Sequence, residues 1–298
     1  MLERVNAGAY FVAWRILRWL PENFVYSLAY KISDLLVKRN GKSVARLRSN
    51  LARTQPSMTA LDLELLVYRG MRSAARYWCD TFRFPDWSLA RIQNTVTVTN
   101  EQLLLDAIAA GHGVIVTLPH AGNYDHAAAY FCGKGVKIVT VAERLKPEAL
   151  FEKFMQYRAA FGLEALPLDG RTIPTLALRL RSGYVVALAA DRDLSRSGIN
   201  VTFFDGQARM PAGPAVLALK TGAPLLYAMV SYTENGIHID LEQVAIPASG
   251  TESEKIAVII QRSADLFAKG IAQYPQDWHM MQRIWIDGDF TERNSNGG

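Results

Sequence analysis

The chain has 298 residues, half of them hydrophobic, and a formal net charge of +5. This length and composition exclude a disordered or fibrous protein and leave ample material for a buried core. Its two cysteines, Cys79 and Cys132, argue against a disulfide scaffold and a thiolate metal site, and they favour a reducing compartment.

The amino-terminal segment combines positive charge with large apolar side chains. The first 53 residues hold ten Lys and Arg residues and only three acidic ones. Residues 5–20 include Trp14 and Trp19, but the apolar run is interrupted by arginines and is too short to span a bilayer, which needs about 20 residues. Arginines inside the run also disfavour a secretory signal. We therefore expect a helix lying in a membrane interface, with an ordinary packed helix as the alternative.

The basic character continues through residues 24–53. Basic residues near an anionic leaflet each add on the order of 1 kcal/mol of attraction, so an anionic inner-leaflet membrane surface is the expected partner. No nucleic acid is expected, because no recognition motif accompanies the charge. A solvated helix face is the remaining alternative.

The rest of the chain changes from helical spacing to alternating strands and helices. Apolar residues recur at helical spacing from Ala60 to Phe84, and the VTVT run at 96–99 opens an α/β part. The pattern predicts an α/β fold with a central mixed, largely parallel sheet flanked by helices. Predicted strands are 113–118, 136–142, 184–190, 224–232 and 237–246, and predicted helices are 100–110, 121–132, 147–161, 171–182, 210–221 and 252–274.

We expect a single domain over residues 1–298 and no internal repeat. Within it, residues 1–90 are predicted to be a membrane-associated helical part and residues 91–290 an α/β catalytic core. Residues 291–298 are predicted to be a disordered tail.

The most informative stretch is residues 113–132, where an apolar run is followed by Pro119 and His120. A buried strand feeding a helix would place His120 at the carboxyl end of the strand, where open α/β sheets bind ligands. Asp125 could reach back from the first helical turn to orient the imidazole, which can accept a proton at physiological pH. A structural histidine is the alternative reading.

Charged residues follow two other predicted strands, and in a parallel sheet these strand ends share an edge with His120. Isolated charges after a strand are more often solvated, so it is their convergence with His120 that makes them candidates. Arg209, just before Pro211, marks a helix entry that would favour a phosphate. The strand-end residues are Glu143, Arg144, Asp191, Arg192 and Asp193.

Several other catalytic signatures are absent from the sequence. It contains no G-x-S-x-G elbow, no G-x-G-x-x-G fingerprint, no P-loop and no H-E-x-x-H motif. Nucleotide-dependent and zinc chemistry are therefore poor candidates, and no metal site is expected.

The motifs together resemble a known family. PHAGNYDHAA carries the H-x4-D pattern of the glycerolipid and lysophospholipid acyltransferases. Four further blocks follow in order, which are VAERLKPEALFEKF, ADRDLSRSGINVTFFDGQARMPAGPA, KTGAPL and DWHMMQRIW. With them, nearly the whole chain resembles the bacterial branch that includes the lipid A late acyltransferases, and within it the actinobacterial phosphatidylinositol mannoside acyltransferases.

This resemblance implies an activity and a place for it. The family moves a palmitoyl group from acyl-CoA, as donor substrate, to the 6-hydroxyl of the mannose linked to the 2-position of inositol. It does so at the cytoplasmic face of the plasma membrane, without a cofactor. The lipid A enzymes usually begin with a membrane-spanning helix, whereas the short first segment here favours a peripheral protein, expected to be a monomer.

The resemblance also implies roles for residues. His120 would be the general base and Asp125 its charge-relay partner. Seven residues match motif positions near the acceptor sugar or the donor, namely Glu143, Arg144, Arg158, Asp191, Arg192, Asp193 and Arg209. A lipid A-type or other glycolipid acyltransferase, an acyl-CoA thioesterase and a non-enzymatic lipid-binding protein are the alternative functions.

Overall fold

A computed structural model describes residue 15 and residues 18–142, 148–193 and 198–287. Trp14, Glu143, Arg144 and the predicted tail lie outside these ranges. Within them, every helix is too short or too polar to cross a membrane.

Ten α-helices and nine strands are assigned in the described residues. The helices are α1 Glu22–Arg39, α2 Lys42–Thr54, α3 Ala60–Arg83, α4 Leu89–Asn94, α5 Glu101–Ala109, α6 Tyr124–Gly133, α7 Glu148–Ala160, α8 Thr172–Arg181, α9 Gly213–Thr221 and α10 Glu252–Gln273. The strands are β1 Val96–Thr99, β2 Val114–Leu118, β3 Ile138–Ala142, β4 Leu163–Pro167, β5 Val185–Ala189, β6 Ile199–Phe203, β7 Gly206–Met210, β8 Leu225–Tyr232 and β9 Ile237–Gln243. Short 3₁₀ turns cover Phe84–Asp86 and Pro275–Asp277.

Seven of these strands form one sheet in the order β1-β9-β8-β2-β5-β3-β4. Neighbouring strands are parallel except β8 and β9, which run antiparallel. The prediction of a mixed, largely parallel sheet flanked by helices is therefore confirmed. Strands β6 and β7 form a separate antiparallel hairpin.

The sheet separates two hydrophobic cores because successive strand side chains point to opposite faces. Ile115 and Val139 pack into the core that α2, α8, α9 and α10 cover. Val114 and Val116 pack into the core that α4, α5, α6 and α7 cover. The result is a three-layer α/β/α arrangement, with helices on both faces of the sheet.

Helix α3 links the amino-terminal helices to the rest of the molecule. It begins at Ala60 because the side chain of Thr59 accepts a hydrogen bond from the backbone of Asp62. Along its length it packs against α1 and α2, and near its end it supplies Tyr77 and Trp78 to the edge of the sheet that carries His120.

Strand β4, helix α4 and the β6–β7 hairpin were not expected from the sequence. Strand β4 reads LEALP, a five-residue edge strand without a clear apolar alternation. The hairpin turns at Phe204, which has a φ of 50°, a backbone conformation that few residues other than glycine adopt. The predicted helix at 210–221 begins later, at Gly213, because β7 continues to Met210.

Candidate active site

His120 and Asp191 lie at the carboxyl ends of two neighbouring parallel strands. Leu118 ends β2 and Ala189 ends β5, and these two residues are register partners. His120 and Asp191 each follow two residues later, so their backbones reach the same edge of the sheet. This is the edge at which open α/β sheets bind ligands.

The carboxylate of Asp191 contacts His120 with both oxygens. Nδ1 of His120 lies 2.5 Å from Oδ1, and the backbone N–H of His120 donates to Oδ2 over 3.1 Å. The indole N–H of Trp278 also donates to Oδ2, over 2.8 Å. Asp191 is fully buried, whereas about a third of the His120 side chain is exposed. The carboxylate is thus fixed inside the protein and the imidazole reaches the surface of the site.

Asp191 is ionised in this environment. Burial alone would raise its pKa, but the positive charge of His120 and the hydrogen bonds from His120 and Trp278 together hold the pKa below its ordinary value. An ionised carboxylate only accepts hydrogen bonds, so Nδ1 of His120 must carry the proton. In the neutral form of His120 this tautomer leaves a free lone pair on Nε2, which can then act as a base.

Asp125 does not orient His120, contrary to the expectation from the sequence. It accepts hydrogen bonds from Nε and an Nη nitrogen of Arg158, over 2.9 and 3.3 Å, and from the hydroxyl of Tyr77 over 3.3 Å. The reason is geometric, because the first turn of α6 directs this side chain toward α7, where Arg158 lies. Asp191 occupies the position beside Nδ1 that the sequence had assigned to Asp125.

The turn that carries His120 is held closely by its surroundings. Gly122 has a φ of +57°, and a Cβ added to it would lie 2.4 Å from the backbone oxygen of Val230. Asn123 caps α6 by accepting the backbone N–H of His126, and its amide nitrogen donates to the buried carboxylate of Asp80. Only glycine fits at position 122, because the chain there has both a positive φ and a backbone neighbour.

An apolar cavity of about 440 Å³ opens beside His120. It runs between the sheet and helices α6 and α7, and along β5 it extends from Ala189 to Val185, a distance of about 13 Å at the usual rise of a strand. Its size falls within the range of about 300–1,000 Å³ typical of ligand pockets. Small side chains leave this space open, namely those of Ala127, Ala128, Thr140, Ala142, Ala187 and Ala189.

Comparison with known proteins decides the family. The sequence model of the bacterial lipid A biosynthesis acyltransferases matches residues 1–286 of this chain. The chain belongs to this family. It is therefore an acyltransferase, and the His120–Asp191 pair beside an apolar cavity is its candidate active site.

Individual relatives are similar over nearly their whole length. A phosphatidylinositol mannoside acyltransferase of Mycolicibacterium smegmatis is 38% identical over 99% of this chain and 96% of its own length. A protein of the same name from Mycobacterium tuberculosis strain H37Rv is 39% identical over 95% of this chain and 89% of its own length. The one from strain CDC 1551 gives the same figures.

The other residues that the sequence singled out in the acyltransferase either line the cavity or lie next to residues that do. Arg158 and Arg192 line the cavity together with His120 and Asp125. Asp193 donates its backbone N–H to the carbonyl of Arg209 over 2.7 Å, which joins the end of β5 to the hairpin. The side chain of Arg209 donates to Asn200 on the facing strand. The structure therefore brings Arg158 and Arg192 to the cavity, with Asp193 and Arg209 beside them.

Four residues at the site were not singled out from the sequence, and they come from two distant segments. Tyr77 and Trp78 lie on α3, within a run that helical spacing alone describes as an ordinary packed helix. Trp278 and Gln282 lie in the DWHMMQRIW block, which the resemblance marked without assigning it a role. Their position near His120 depends on tertiary contacts that no local pattern reveals.

A buried polar cluster lies behind His120. His279 is half-buried, and its desolvation together with the nearby charge of His120 lowers its pKa to about 3, so this imidazole is neutral. Its Nε2 lies 2.9 Å from the hydroxyl of Ser73, which donates to Asp277 over 2.7 Å. Across the described ranges of the chain, no three His, Cys, Asp or Glu side chains converge closely enough to hold a metal ion.

Proposed function

We propose that this acyltransferase moves a palmitoyl group from acyl-CoA to the 6-hydroxyl of the mannose linked to the 2-position of inositol in phosphatidylinositol mannosides. The names of the mycobacterial relatives and the resemblance of the motif blocks support this acceptor and position. The observation that carries the proposal is the His120–Asp191 pair at the mouth of an apolar cavity.

In the proposed reaction, His120 acts as a general base. The mannose hydroxyl gives its proton to Nε2 as its oxygen forms a bond to the thioester carbonyl carbon. The carbon–sulfur bond then breaks, and the imidazolium returns the proton to the departing CoA thiolate. Asp191 supports this cycle because its negative charge stabilises the imidazolium and its contact with Nδ1 keeps Nε2 available. The transfer needs no acyl-enzyme intermediate.

Arg158 is the proposed charged donor near the reacting carbonyl. It lines the cavity, its side chain is largely buried, and Asp125 fixes its guanidinium with two hydrogen bonds. A cation in a site with little water stabilises a developing oxyanion far better than it would in bulk solvent. Asp125 would therefore contribute through Arg158.

The apolar cavity is the proposed site of the acyl chain. Its lining is dominated by aliphatic and aromatic side chains from the sheet and from α6 and α7. Transfer of an alkyl chain from water into such surroundings is favourable, by about 0.8 kcal/mol per buried methylene group. This supports a long-chain acyl donor whose thioester lies at the His120 end.

We propose peripheral attachment of the protein to the cytoplasmic face of the plasma membrane. Helix α1 exposes a row of large apolar side chains, and Trp19, which precedes it, is 79% exposed. Lys31, Lys38 and Arg39 on the same helix supply positive charge, which suits an anionic leaflet. The exposed apolar residues of α1 are Phe24, Leu28, Ile32, Leu35 and Leu36.

Co-sedimentation with liposomes tests this attachment. We expect binding to vesicles that contain phosphatidylglycerol, weaker binding at high salt, and little binding to pure phosphatidylcholine. Equal recovery with both vesicle types would contradict it.

We also propose that the protein acts as a monomer, because one chain supplies His120, Asp191 and the cavity. Light scattering of the purified protein checks this.

Product mass tests the activity directly. The purified protein is incubated with palmitoyl-CoA and with one of four additions: a monomannoside, a dimannoside, a lipid A precursor or no acceptor. We expect a palmitoylated mannoside, with NMR locating the new ester at the 6-hydroxyl, and no product from H120A. Release of free palmitate at the same rate with and without a glycolipid acceptor would indicate a thioesterase. Acylation of the lipid A precursor and of neither mannoside would indicate a lipid A-type acyltransferase. Lipid binding without turnover would indicate a non-enzymatic lipid-binding protein.

A further inference from the structure

The DWHMMQRIW block packs directly on the turn that carries His120. The backbone N–H of His279 donates to the carbonyl of His120 over 3.0 Å, and the N–H of Gly122 donates to the carbonyl of Asp277 over 2.9 Å. Between these two bonds, Ala121 and Trp278 form an antiparallel bridge. A segment more than 150 residues away in sequence therefore fixes the position of this turn.

Trp278 has a second contact, with the carboxylate that faces His120. Its side chain is fully buried, and its indole N–H lies 2.8 Å from Oδ2 of Asp191. Among the described residues, the other two donors to this carboxylate are both groups of His120 itself. Those two bonds fix Asp191 relative to His120 only. The indole is the donor that ties the pair to a different part of the chain.

A buried carboxylate needs such a partner. Asp191 is fully buried, and an ionised carboxylate with unfilled hydrogen-bonding sites is strongly destabilised in an apolar interior. The indole N–H can donate a hydrogen bond but cannot accept one. It therefore suits an ionised carboxylate, whose two oxygens only accept hydrogen bonds. The rigid ring, packed beside Phe203, also limits the directions from which the donor can approach.

We propose that Trp278 is a positioning residue for acyl transfer, acting by fixing the orientation of the Asp191 carboxylate so that Nε2 of His120 faces the acceptor hydroxyl. This inference rests on the proposed role of His120 as general base. Trp278 is fully buried and does not line the cavity, so it would act through Asp191 and not by contact with a substrate.

The chain offers a matched control in Trp285. This second tryptophan of the same block is also buried, and its indole N–H donates to Asn50 over 3.0 Å, away from His120. W278F and W285F each delete one buried indole N–H. We expect W278F to lower kcat by about 10-fold to 100-fold, the range for losing a hydrogen bond to a charged group, with KM unchanged. W285F should keep the kcat of the wild type, and thermal unfolding of both variants measures their loss of stability.

A spectroscopic readout separates positioning from folding and from the identity of the substrates. A proton shared between Nδ1 of His120 and Asp191 gives a far-downfield ¹H NMR resonance, identified by its disappearance in H120A. We expect W278F to shift this resonance and W285F to leave it unchanged. If W278F does not fold, benzothienylalanine at position 278 replaces the N–H by sulfur and keeps the shape of the ring.

The outcomes are distinct. An unshifted resonance in W278F overturns the proposal, and so does a wild-type kcat or a change in KM alone. If the resonance shifts in W278F but the wild-type protein transfers no acyl group, the proposed function is wrong, while the contact between Trp278 and Asp191 still orients the carboxylate.

Discussion

Two carboxylates near His120 have different partners. Asp191 contacts Nδ1 of His120, whereas Asp125 contacts Arg158. If Asp191 is the group that supports the base, D191N should lower kcat by about 10⁴-fold, as loss of the orienting carboxylate does in a Ser-His-Asp triad. D125N removes the negative charge that faces Arg158 and Tyr77 but leaves the His120–Asp191 contact in place, and we expect a loss of about 10-fold to 100-fold.

Steady-state kinetics with the acyl donor and acceptor measure both variants, with H120A as the reference for complete loss of the imidazole. The opposite order, with D125N as inactive as H120A and D191N nearly active, would show that the H-x4-D spacing and not the observed contact identifies the partner of His120.

His126, at the start of α6, makes the stability of the protein depend on pH. It is buried, and burial lowers its pKa from 6.5 to about 4, although a hydrogen bond to the carbonyl of Ile92 acts the other way. The unfolded chain binds a proton at this residue below about pH 6.5, while the folded protein binds it only near pH 4. Stability contributed by the neutral imidazole is therefore lost as the pH falls from about 6.5 to 4, by up to about 1.4 kcal/mol per pH unit.

Urea unfolding at several pH values between 7 and 4.5 checks this. H126Q should show a smaller pH slope of the free energy of unfolding than the wild type, whatever its absolute stability. Parallel slopes for H126Q and the wild type would contradict the assigned pKa of His126.

The turn between β2 and α6 has little freedom to change. Gly122 combines a φ of +57° with a close approach to the backbone of Val230, whereas Gly111 has a φ of +81° and open space around its Cα. G111A should therefore cost about 1 kcal/mol, from the unfavourable φ alone. G122A must also move a backbone carbonyl, so we expect a distinctly larger loss of stability and a loss of activity, because the displaced turn carries His120.

Thermal unfolding and turnover of the two variants measure this difference. Similar losses of stability in G111A and G122A would mean that the packing of the turn against β8 is not what fixes it.

The sequence predicts most of the sheet because its central strands are apolar runs bounded by turns. Strands β2, β3, β5 and β8 follow this pattern, and parallel pairing explains why His120 and Asp191 meet. The direction of the Asp125 side chain depends on the residue at which α6 begins, and the H-x4-D spacing does not give that residue. The sequence therefore assigned Asp125 to His120, whereas its partner in the structure is Arg158. Trp278 reaches Asp191 through a contact between distant segments, which local patterns do not encode.

At the scale of the whole molecule, the two faces of the sheet differ in how tightly they are packed. One face packs against α8, α9 and α10 through large side chains such as Leu180, Leu217 and Phe267, all of them fully buried. The other face packs against α6 and α7 and contains the cavity. Because the small side chains on that face keep space open next to His120, they give up packing energy that a filled core would have gained. Such an exchange is expected where a ligand fills the space.

A substitution that fills the cavity should therefore shorten the acyl chain that the enzyme accepts. Ala187 lies in the middle of β5 and lines the cavity, level with Val116 and Thr140 on the neighbouring strands. A187L projects a larger side chain into the path of a long alkyl tail, so transfer from palmitoyl-CoA should fall by at least about tenfold, while transfer from octanoyl-CoA should change little.

A matched control is available at Ala159, which is exposed on α7, because A159L adds the same atoms outside the cavity. Rates for a series of acyl-CoA lengths measure the effect. Equal losses for short and long donors in A187L, or the same change of preference in A159L, would mean that the acyl chain binds elsewhere.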